Sequence, residues 1–151
     1  VVFASRCQSP YGWNVGVPLG WYTGDAASGW ECSMFDRVPV IVDDTTADLV
    51  RPIYVQATSD VSEDYALYGN SEAFEVLSYG EPTVGGVLAG RFELLTTDVG
   101  EIGAGVQVIC YIIPIGATSG VTITGYAFTP AEYAEVTTLV DAMAGDLVPT
   151  V

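Results

Sequence analysis

Two basic residue types are missing from this chain, and their absence narrows its chemistry. None of the 151 residues is Lys or His, and arginine supplies all 4 basic side chains against 19 carboxylates, for a formal net charge of -15. Without imidazole or a lysine amine, neither a Ser-His-Asp triad, a Cys-His pair nor a Schiff-base mechanism can be assembled. Nucleic acids and anionic membrane surfaces are not expected as partners, because binding phosphate requires a cationic surface.

Long hydrophobic runs are missing as well. The most apolar stretch, Val106 to Ile115, reads VQVICYIIPI, whereas a membrane-spanning helix needs roughly 20 such residues. We therefore expect no membrane span and interpret this stretch as a core strand. Half of the residues are hydrophobic, which is enough for a core and argues against disorder despite the high net charge.

Catalytic motifs are scarce. Neither the GxxxxGK[ST] nor the GxGxxG pattern occurs, so nucleotide binding has no support. Glycoside hydrolysis needs only two carboxylates, but no spacing singles out a pair among the candidates Glu31, Asp36, Glu75 and Glu93. The chain is therefore predicted not to be an enzyme, and no catalytic residue is assigned.

No cofactor is expected. The chain has no CxxC or Cys/His cluster for zinc. Calcium takes oxygen ligands and is the one ion compatible with this composition; the densest acidic clusters are Asp43-Asp44-x3-Asp48 and Asp60-x2-Glu63-Asp64. Neither matches the D-x-[DN]-x-[DN]-G loop, so a solvated acidic face is the preferred interpretation of both.

The three cysteines, an odd number, cannot form a complete set of intramolecular disulfides. Cys7 and Cys32 bracket a segment rich in glycine and aromatic residues. A disulfide between them is a hypothesis; it would restrict the unfolded chain and favour an extracellular or virion setting. Cys110 lies inside the apolar run and is interpreted as a buried free thiol.

Residues 1–37 differ in composition from the rest of the chain, because they hold all three tryptophans among closely spaced glycines. They are predicted to form an N-terminal arm or a series of short strands, and residues 38–151 a β-rich domain. A Gly-rich segment cannot make a compact core alone, so its aromatic side chains must lie against their own sheet or a neighbouring copy. The predicted subunit-interface residues are Tyr11, Trp13, Trp21, Tyr22 and Trp30.

Apolar patterns predict strands along the remainder of the chain, in segments 37–42, 51–57, 73–79, 103–115 and 120–128. The last two are joined by GATSG and are predicted to form a hairpin. In the second of them, alternation places four residues on one face: Val121, Ile123, Gly125 and Ala127.

A helix from about residue 130 to residue 144 is predicted near the end of the chain. Thr129 and Glu132 have the spacing of a capping box, Pro130 occupies the first helical position, and Gly145 is the predicted stop. The patterns together predict a mainly β fold, an antiparallel β-sandwich or barrel of about seven or eight short strands with one C-terminal α-helix.

The function predicted from these features is structural. The missing catalytic chemistry, the β-rich pattern and the aromatic arm favour a non-enzymatic self-assembling protein: a virion capsid or capsid-decoration subunit, or an extracellular filament or surface-layer subunit. Its partners would be copies of itself or another virion or surface-layer protein, and its location the virion or the extracellular space. The alternative is a secreted carbohydrate-binding or adhesion module that uses exposed aromatic side chains.

Overall fold

The computed structural model describes residues 1–24, 29–43, 45–46 and 49–150. It contains two helices, α1 (Val61–Gly69) and α2 (Pro130–Asp146). The strands are β1 (Phe3–Gln8), β2 (Trp13–Pro18), β3 (Tyr22–Thr23), β4 (Met34–Asp36), β5 (Ile53–Thr58), β6 (Phe74–Gly80), β7 (Thr83–Val84), β8 (Val87–Leu88), β9 (Gly90–Thr96), β10 (Gln107–Pro114), β11 (Gly120–Ala127) and β12 (Val148–Pro149).

These strands pair only in antiparallel fashion within the described residues, and they form three sheets. The large sheet has the order β3-β4-β5-β11-β10-β9-β6, a small sheet has the order β1-β2-β12, and β7 pairs with β8. The predicted mainly β fold with a C-terminal helix is confirmed. The strand count exceeds the predicted seven or eight because β3, β7, β8 and β12 are two-residue pieces.

The predicted hairpin of β10 and β11 is confirmed and forms the centre of the large sheet. Gln107 pairs with Ala127 at one end and Pro114 with Gly120 at the other, in an unbroken register. Because side chains alternate along a strand, the two strands present one row of side chains to α2 and the opposite row to α1.

Helix α2 covers one face of the large sheet. At Gly125 a β-carbon would overlap Val136 and lie 3.0 Å from Val140 Cγ2, so the missing side chain lets the helix approach β11 closely. Val136, Val140 and Met143 are fully buried in this contact. Among the described residues, neither helix has both the length and the apolar character needed to cross a membrane.

The start of α2 follows the predicted capping pattern with one difference. The Glu132 N–H donates to the Thr129 hydroxyl across 3.2 Å, as predicted. The Glu132 carboxylate accepts from the N–H of Phe128 at 3.0 Å, one residue before the cap. This carboxylate therefore fixes the chain as it leaves β11, as well as the first helical turn.

The predicted helix stop at Gly145 is wrong by a short distance. The helix runs to Asp146, and the N–H of Leu147 donates to the Met143 carbonyl. Leu147 is buried, and β12 pairs with β2 directly afterwards. Tertiary contacts on the last residues, rather than the glycine, decide where the chain leaves the helix.

Residues 1–37 pack on the rest of the chain. β1 and β2 form a hairpin that lies against the same core as α2, whereas β3 and β4 extend the large sheet beyond β5. A disulfide joins Cys7 of β1 to Cys32, which precedes β4, and the indole N–H of Trp13 donates to the Cys32 carbonyl at 3.0 Å. These contacts join the small sheet to the edge of the large one.

A second link connects the small sheet to the end of α2. One carboxylate oxygen of Asp146 accepts from the N–H of Gly16 in β2 at 2.7 Å, and the other accepts from Arg6 in β1 at 2.7 Å. Among the described residues, β12 pairs with β2 only at Trp13 and Asn14. The Asp146 side chain accepts the hydrogen bond of Gly16, further along β2, where β12 does not pair.

The strand predicted at 37–42 is wrong, because this segment runs as irregular chain. Pro39 cannot donate a backbone hydrogen bond, and the Ile41 carbonyl accepts from the Arg51 guanidinium at 2.9 Å rather than from a neighbouring strand. A helix, α1, follows β5, and the Asp60 carboxylate caps it by accepting from its first turn.

Candidate functional site

The candidate site lies on the face of the large sheet opposite α2. Five buried residues make the apolar floor of this face: Phe92, Leu94, Val108, Cys110 and Ile112. Helix α1 covers part of the floor through Val61, Tyr65 and Tyr68. The helix is only nine residues long, so the strands β5 and β11 extend beyond its cover.

The packing of α1 on the sheet depends on a glycine and a group of aromatic rings. At Gly90 a β-carbon would lie 2.6 Å from the Tyr65 ring, so only a residue without a side chain accommodates this contact. The ring centroid of Tyr65 lies 5.9 Å from that of Phe92, and the ring of Tyr68 lies 5.3 Å from that of Phe74. The helix is therefore held by ring packing on β6 and β9.

A groove opens beside α1, and we call it the tyrosine groove. Its first part is a cavity of about 180 Å³ lined by Val50, Tyr54, Gln56, Tyr68, Ile102, Thr124 and Tyr126. Its second part, of about 250 Å³, shares Tyr68, Ile102 and Tyr126 with the first and adds Glu101 at its border. The two parts adjoin through these shared residues, and three tyrosine side chains line the first part.

Contacts around the first part fix two of its rings. The Tyr54 hydroxyl accepts from the N–H of Arg51 at 2.8 Å and donates to the Leu49 carbonyl at 3.4 Å. The rings of Tyr54 and Tyr126 meet edge to face, with centroids 5.9 Å apart. Contacts within the chain thus hold the rings of Tyr54 and Tyr126 in the groove wall.

Two tyrosines of the groove, Tyr68 and Tyr126, are uncharged at neutral pH. Burial raises the pKa of Tyr126 to about 12, with further contributions from Cys110 and Tyr54. Burial also raises the pKa of Tyr68 far above its ordinary value of 10.0. Neutral phenols keep the negative face of the ring quadrupole available without adding a charge of their own.

A carboxylate on α1 lies near the groove. The Oδ2 atom of Asp64 is buried and has no hydrogen-bond partner within the described residues. Asp64 precedes Tyr68 by four positions, which places both on one side of the helix. The Asp64 charge also contributes to the raised pKa of Cys110, about 12, although burial of the thiol is the main cause. Cys110 in turn lies 3.6 Å from Thr124 of the groove.

A separate polar network lies on the opposite face, between β9, β10 and α2. Arg91 donates to Asp141 at 2.9 Å and to Glu93 at 3.1 Å. Tyr133 donates to Glu93 at 2.7 Å, and Tyr111 donates to Asp141 at 2.5 Å. The hydrogen bond from Tyr133, together with Arg91, lowers the pKa of Glu93. Each acid in the network is already engaged by partners within the chain.

The carboxylates considered for hydrolysis lie on different parts of the fold. Asp36 on β4 and Glu93 on β9 have three strands between them, which corresponds to about 19 Å at the usual strand spacing. Glu75 is exposed on the edge strand β6, and Glu31 lies in the turn before β4.

The acidic clusters considered for calcium do not form a metal site within the described residues, where no three potential ligand side chains come together. Asp44 and Asp48 lie outside these residues. Asp43 accepts from the N–H and hydroxyl of Thr45, and Asp60 caps α1. Both carboxylates have a local role in the turns that hold them.

The aromatic residues predicted at a subunit interface fall in two places. Trp13 is only 1% exposed, whereas Tyr11 beside it is 61% exposed; together with Trp30 they line a cavity of about 470 Å³ next to Val55, Gln56 and Ala57. Trp21 is half-buried beneath the Arg37 guanidinium, whose central carbon lies 4.8 Å from the ring centroid, and Tyr22 is exposed on β3.

Sequence reasoning did not identify Tyr54, Tyr68 and Tyr126 as a group, because they come from β5, α1 and β11. One signal was present. The alternation in GVTITGYAF places Thr124 and Tyr126 on the face opposite the one that packs on α2. When one face of a strand is fully buried against a helix, a row of polar and aromatic residues on its other face indicates a candidate binding surface.

Comparisons with known proteins bear on the fold. No protein-family model matches the sequence, and no curated protein sequence matches it. The chain is similar to the solution structure of cyanobacterial PsbP (CyanoP) from Synechocystis sp. PCC 6803, with a TM-score of 0.57 and 12% sequence identity. The match covers 99% of this chain and 95% of that chain.

This similarity corrects the functional prediction made from sequence. The prediction of a self-assembling capsid, decoration, filament or surface-layer subunit is wrong, and so are its virion or extracellular location and the alternative of a secreted carbohydrate-binding module. Two places were expected for the N-terminal aromatic residues, their own sheet or a neighbouring copy, and the structure shows Trp13 and Trp21 packed within their own chain. The fold that the chain resembles over nearly its whole length is that of cyanobacterial PsbP, not that of a capsid or filament protein.

Proposed function

We propose that this chain is a non-catalytic binding domain that docks on a positively charged surface of a partner protein. The observation that carries the proposal is that every arginine forms an ion pair with a carboxylate of the same chain. The pairs are Arg6 with Asp146, Arg37 with Glu135, Arg51 with Asp36, and Arg91 with Glu93 and Asp141. No Lys or His is present to oppose the other carboxylates.

The remaining acids give the molecule a strongly negative surface. Glu63, Glu72, Glu75, Asp98 and Glu101 are all exposed, and at a net charge of -15 the field attracts cations and repels anions. At physiological salt such attraction extends over about 8 Å. A basic protein surface is the partner that matches both this sign and this range.

The non-catalytic part of the proposal rests on the state of the nucleophiles and acids. The pKa of the buried Cys110 thiol is raised to about 12, so it stays protonated and is a poor nucleophile. Asp36, Glu93 and Asp141 are bound by arginine side chains. The hydrogen bond from Tyr133, together with Arg91, lowers the pKa of Glu93, which favours the ionised form of this acid over proton transfer at neutral pH.

The test is binding of a labelled synthetic peptide of alternating glycine and arginine, followed by fluorescence anisotropy over a series of salt concentrations. We expect binding at low salt that weakens as salt is added, because exposed charges are screened. A glycine–glutamate peptide of the same length is the matched control and should not bind. Failure of the arginine peptide to bind at low salt, or equal binding of both peptides, would overturn the proposal.

A further inference from the structure

The tyrosine groove has a more specific chemistry than the acidic surface around it. We propose that the first part of the groove binds the guanidinium group of one arginine side chain on the basic partner. This inference rests on the proposed function, since the partner's positive charge is what brings the arginine to the sheet. The inference adds two statements to the proposed function: where on this chain the partner binds, and which type of partner residue binds there.

The walls of the cavity suit a planar cation. Tyr54 and Tyr126 meet edge to face at 5.9 Å, and Tyr68 lines both parts of the groove. Aromatic faces attract guanidinium groups, and the attraction strengthens where water is partly displaced. The cavity of about 180 Å³ offers such a partly enclosed position.

The molecule itself already uses this interaction. The guanidinium carbon of Arg37 lies 4.8 Å from the Trp21 ring centroid, and that of Arg91 lies 5.9 Å from the Tyr111 ring centroid. In both places a carboxylate of the chain completes the contact, Glu135 for Arg37 and Asp141 for Arg91. An aromatic ring combined with a carboxylate is therefore the environment in which this chain holds guanidinium groups.

The first part of the tyrosine groove has the rings and no arginine among its lining residues, and carboxylates lie beside it rather than in its lining. Asp64 has a buried carboxylate oxygen that lacks a hydrogen-bond partner within the described residues, and it lies one helical turn from Tyr68. Glu101 borders the second part of the groove. The side-chain oxygens of Gln56 and Thr124, which also line the cavity, can accept from the remaining N–H groups of a guanidinium.

Arginine fits this cavity better than lysine for a geometric reason. A guanidinium is flat, stacks on rings and is weakly hydrated, whereas an ammonium is compact and strongly hydrated. A flat group can lie along the Tyr126 face and still direct its edge towards acceptors on the rim. The charge of the chain excludes an anionic occupant, because the nearby ionisable side chains on α1 and the groove border are acids.

The first experiment compares two blocked tripeptides on the unaltered protein by NMR. Acetyl-Gly-Arg-Gly-amide is the probe, and its citrulline analogue has the same shape without the charge. We expect the arginine peptide to shift the ring signals of Tyr126 and Tyr68 and to bind about tenfold more tightly than the citrulline peptide. Equal shifts with both peptides, or shifts confined to other tyrosines, would overturn the proposal. Tighter binding of a lysine tripeptide would also contradict it.

Variants then separate the groove from the general acidic surface. Tyr126→Leu removes a ring and should weaken binding of the arginine tripeptide about fivefold, whereas Tyr126→Phe should retain it. Tyr22→Leu removes an exposed ring from β3 and serves as the matched control. A thermal melt of each variant establishes that it is folded, and the peptide comparison above does not depend on any variant.

The outcomes distinguish this inference from the proposed function. If the glycine–arginine polymer binds in a salt-dependent manner but Tyr126→Leu binds the tripeptide as well as the unaltered chain does, the groove assignment fails and the acidic docking domain stands. If the arginine and glutamate polymers bind equally while the tripeptide shifts Tyr126, the groove assignment stands and the general proposal fails.

Discussion

The guanidinium of Arg51 donates to the Oδ2 atom of Asp36 across 2.9 Å, and its other terminal nitrogen donates to the Ile41 carbonyl. The Arg51 residue is only 5% exposed. This ion pair joins the end of β4 to the start of β5 and holds the irregular segment between them. Its burial gives it a different energetic role from the exposed ion pairs of the molecule.

Asp36→Asn should therefore destabilise the protein strongly, by about 3 kcal/mol, because it leaves a buried guanidinium without its counter-charge. Urea unfolding followed by tryptophan fluorescence measures the change. Glu135→Gln is the matched control: it breaks the pair with Arg37, in which both side chains are more than a third exposed, and should cost no more than about 0.5 kcal/mol. Similar losses in the two variants would contradict this account of burial.

The close approach of α2 to β11 predicts opposite effects for two glycine substitutions. Gly125→Ala inserts a β-carbon where Val136 and Ile109 already lie, and we expect a loss of about 1–3 kcal/mol from overpacking. Gly145→Ala adds a β-carbon to open space within the helix and should stabilise by up to about 1 kcal/mol. Thermal unfolding of both variants compares them; a stable Gly125→Ala protein would show that the helix can move away at little cost.

The disulfide between Cys7 and Cys32 predicts the number of reactive thiols. In denaturant without reductant we expect one thiol per chain, from Cys110, and three after reduction. The double variant Cys7→Ser with Cys32→Ser should lose roughly 3 kcal/mol of stability on the chain-entropy model, since the bridge spans a sequence separation of 25. Three thiols in the unreduced, denatured protein would contradict the pairing.

Glu93 predicts a dependence of stability on acid pH. Its pKa in the folded state is lowered from 4.5, first by the Tyr133 hydrogen bond and then by Arg91, so its contribution is present above pH 4.5 and is lost as the pH falls through the folded-state value. Glu93→Gln should therefore cost about 1 kcal/mol at neutral pH, and the difference from the unaltered chain should disappear in acid. Unfolding curves at a series of pH values measure this.

Glu75→Gln is the control for the change in net charge, because Glu75 lies exposed on β6. It should leave the acid limb of the stability curve close to that of the unaltered protein. A difference for Glu93→Gln that stays constant from neutral to acid pH would show that the hydrogen-bond geometry, and not ionisation, accounts for the loss.

Local sequence patterns predicted those helices and strands whose position is determined by their own residues rather than by contacts with distant parts of the chain. The hairpin of β10 and β11 follows from two apolar segments joined by a short connection, with alternation along β11, and the start of α2 follows from the Thr129 cap. The end of α2 did not follow from Gly145, because it depends on the burial of Leu147 and on the pairing of β12 with β2, a strand near the start of the chain. The segment 37–42 has β-branched residues but pairs with no strand within the described residues, and its Ile41 carbonyl accepts from Arg51 instead.

The candidate site was harder to predict than the fold for a related reason. Tyr54, Tyr68 and Tyr126 come together only when α1 crosses the sheet, and α1 has no clear pattern of its own in the sequence. The aromatic residues at positions 11–30 drew attention because they are close in sequence. Trp13 nevertheless donates to the Cys32 carbonyl, and Trp21 lies beneath the Arg37 guanidinium, so both have partners within the chain.

The hydrogen bond from the Gly16 N–H to the Asp146 carboxylate has a consequence for how the molecule opens. It ties a strand near the start of the chain to the last turn of the final helix, and the disulfide ties the neighbouring strand to the edge of the large sheet. The small sheet therefore cannot detach while α2 and β4 stay in place. Amide protons of β2 and of the last turns of α2 should then exchange with solvent at similar rates, as members of one cooperative unit.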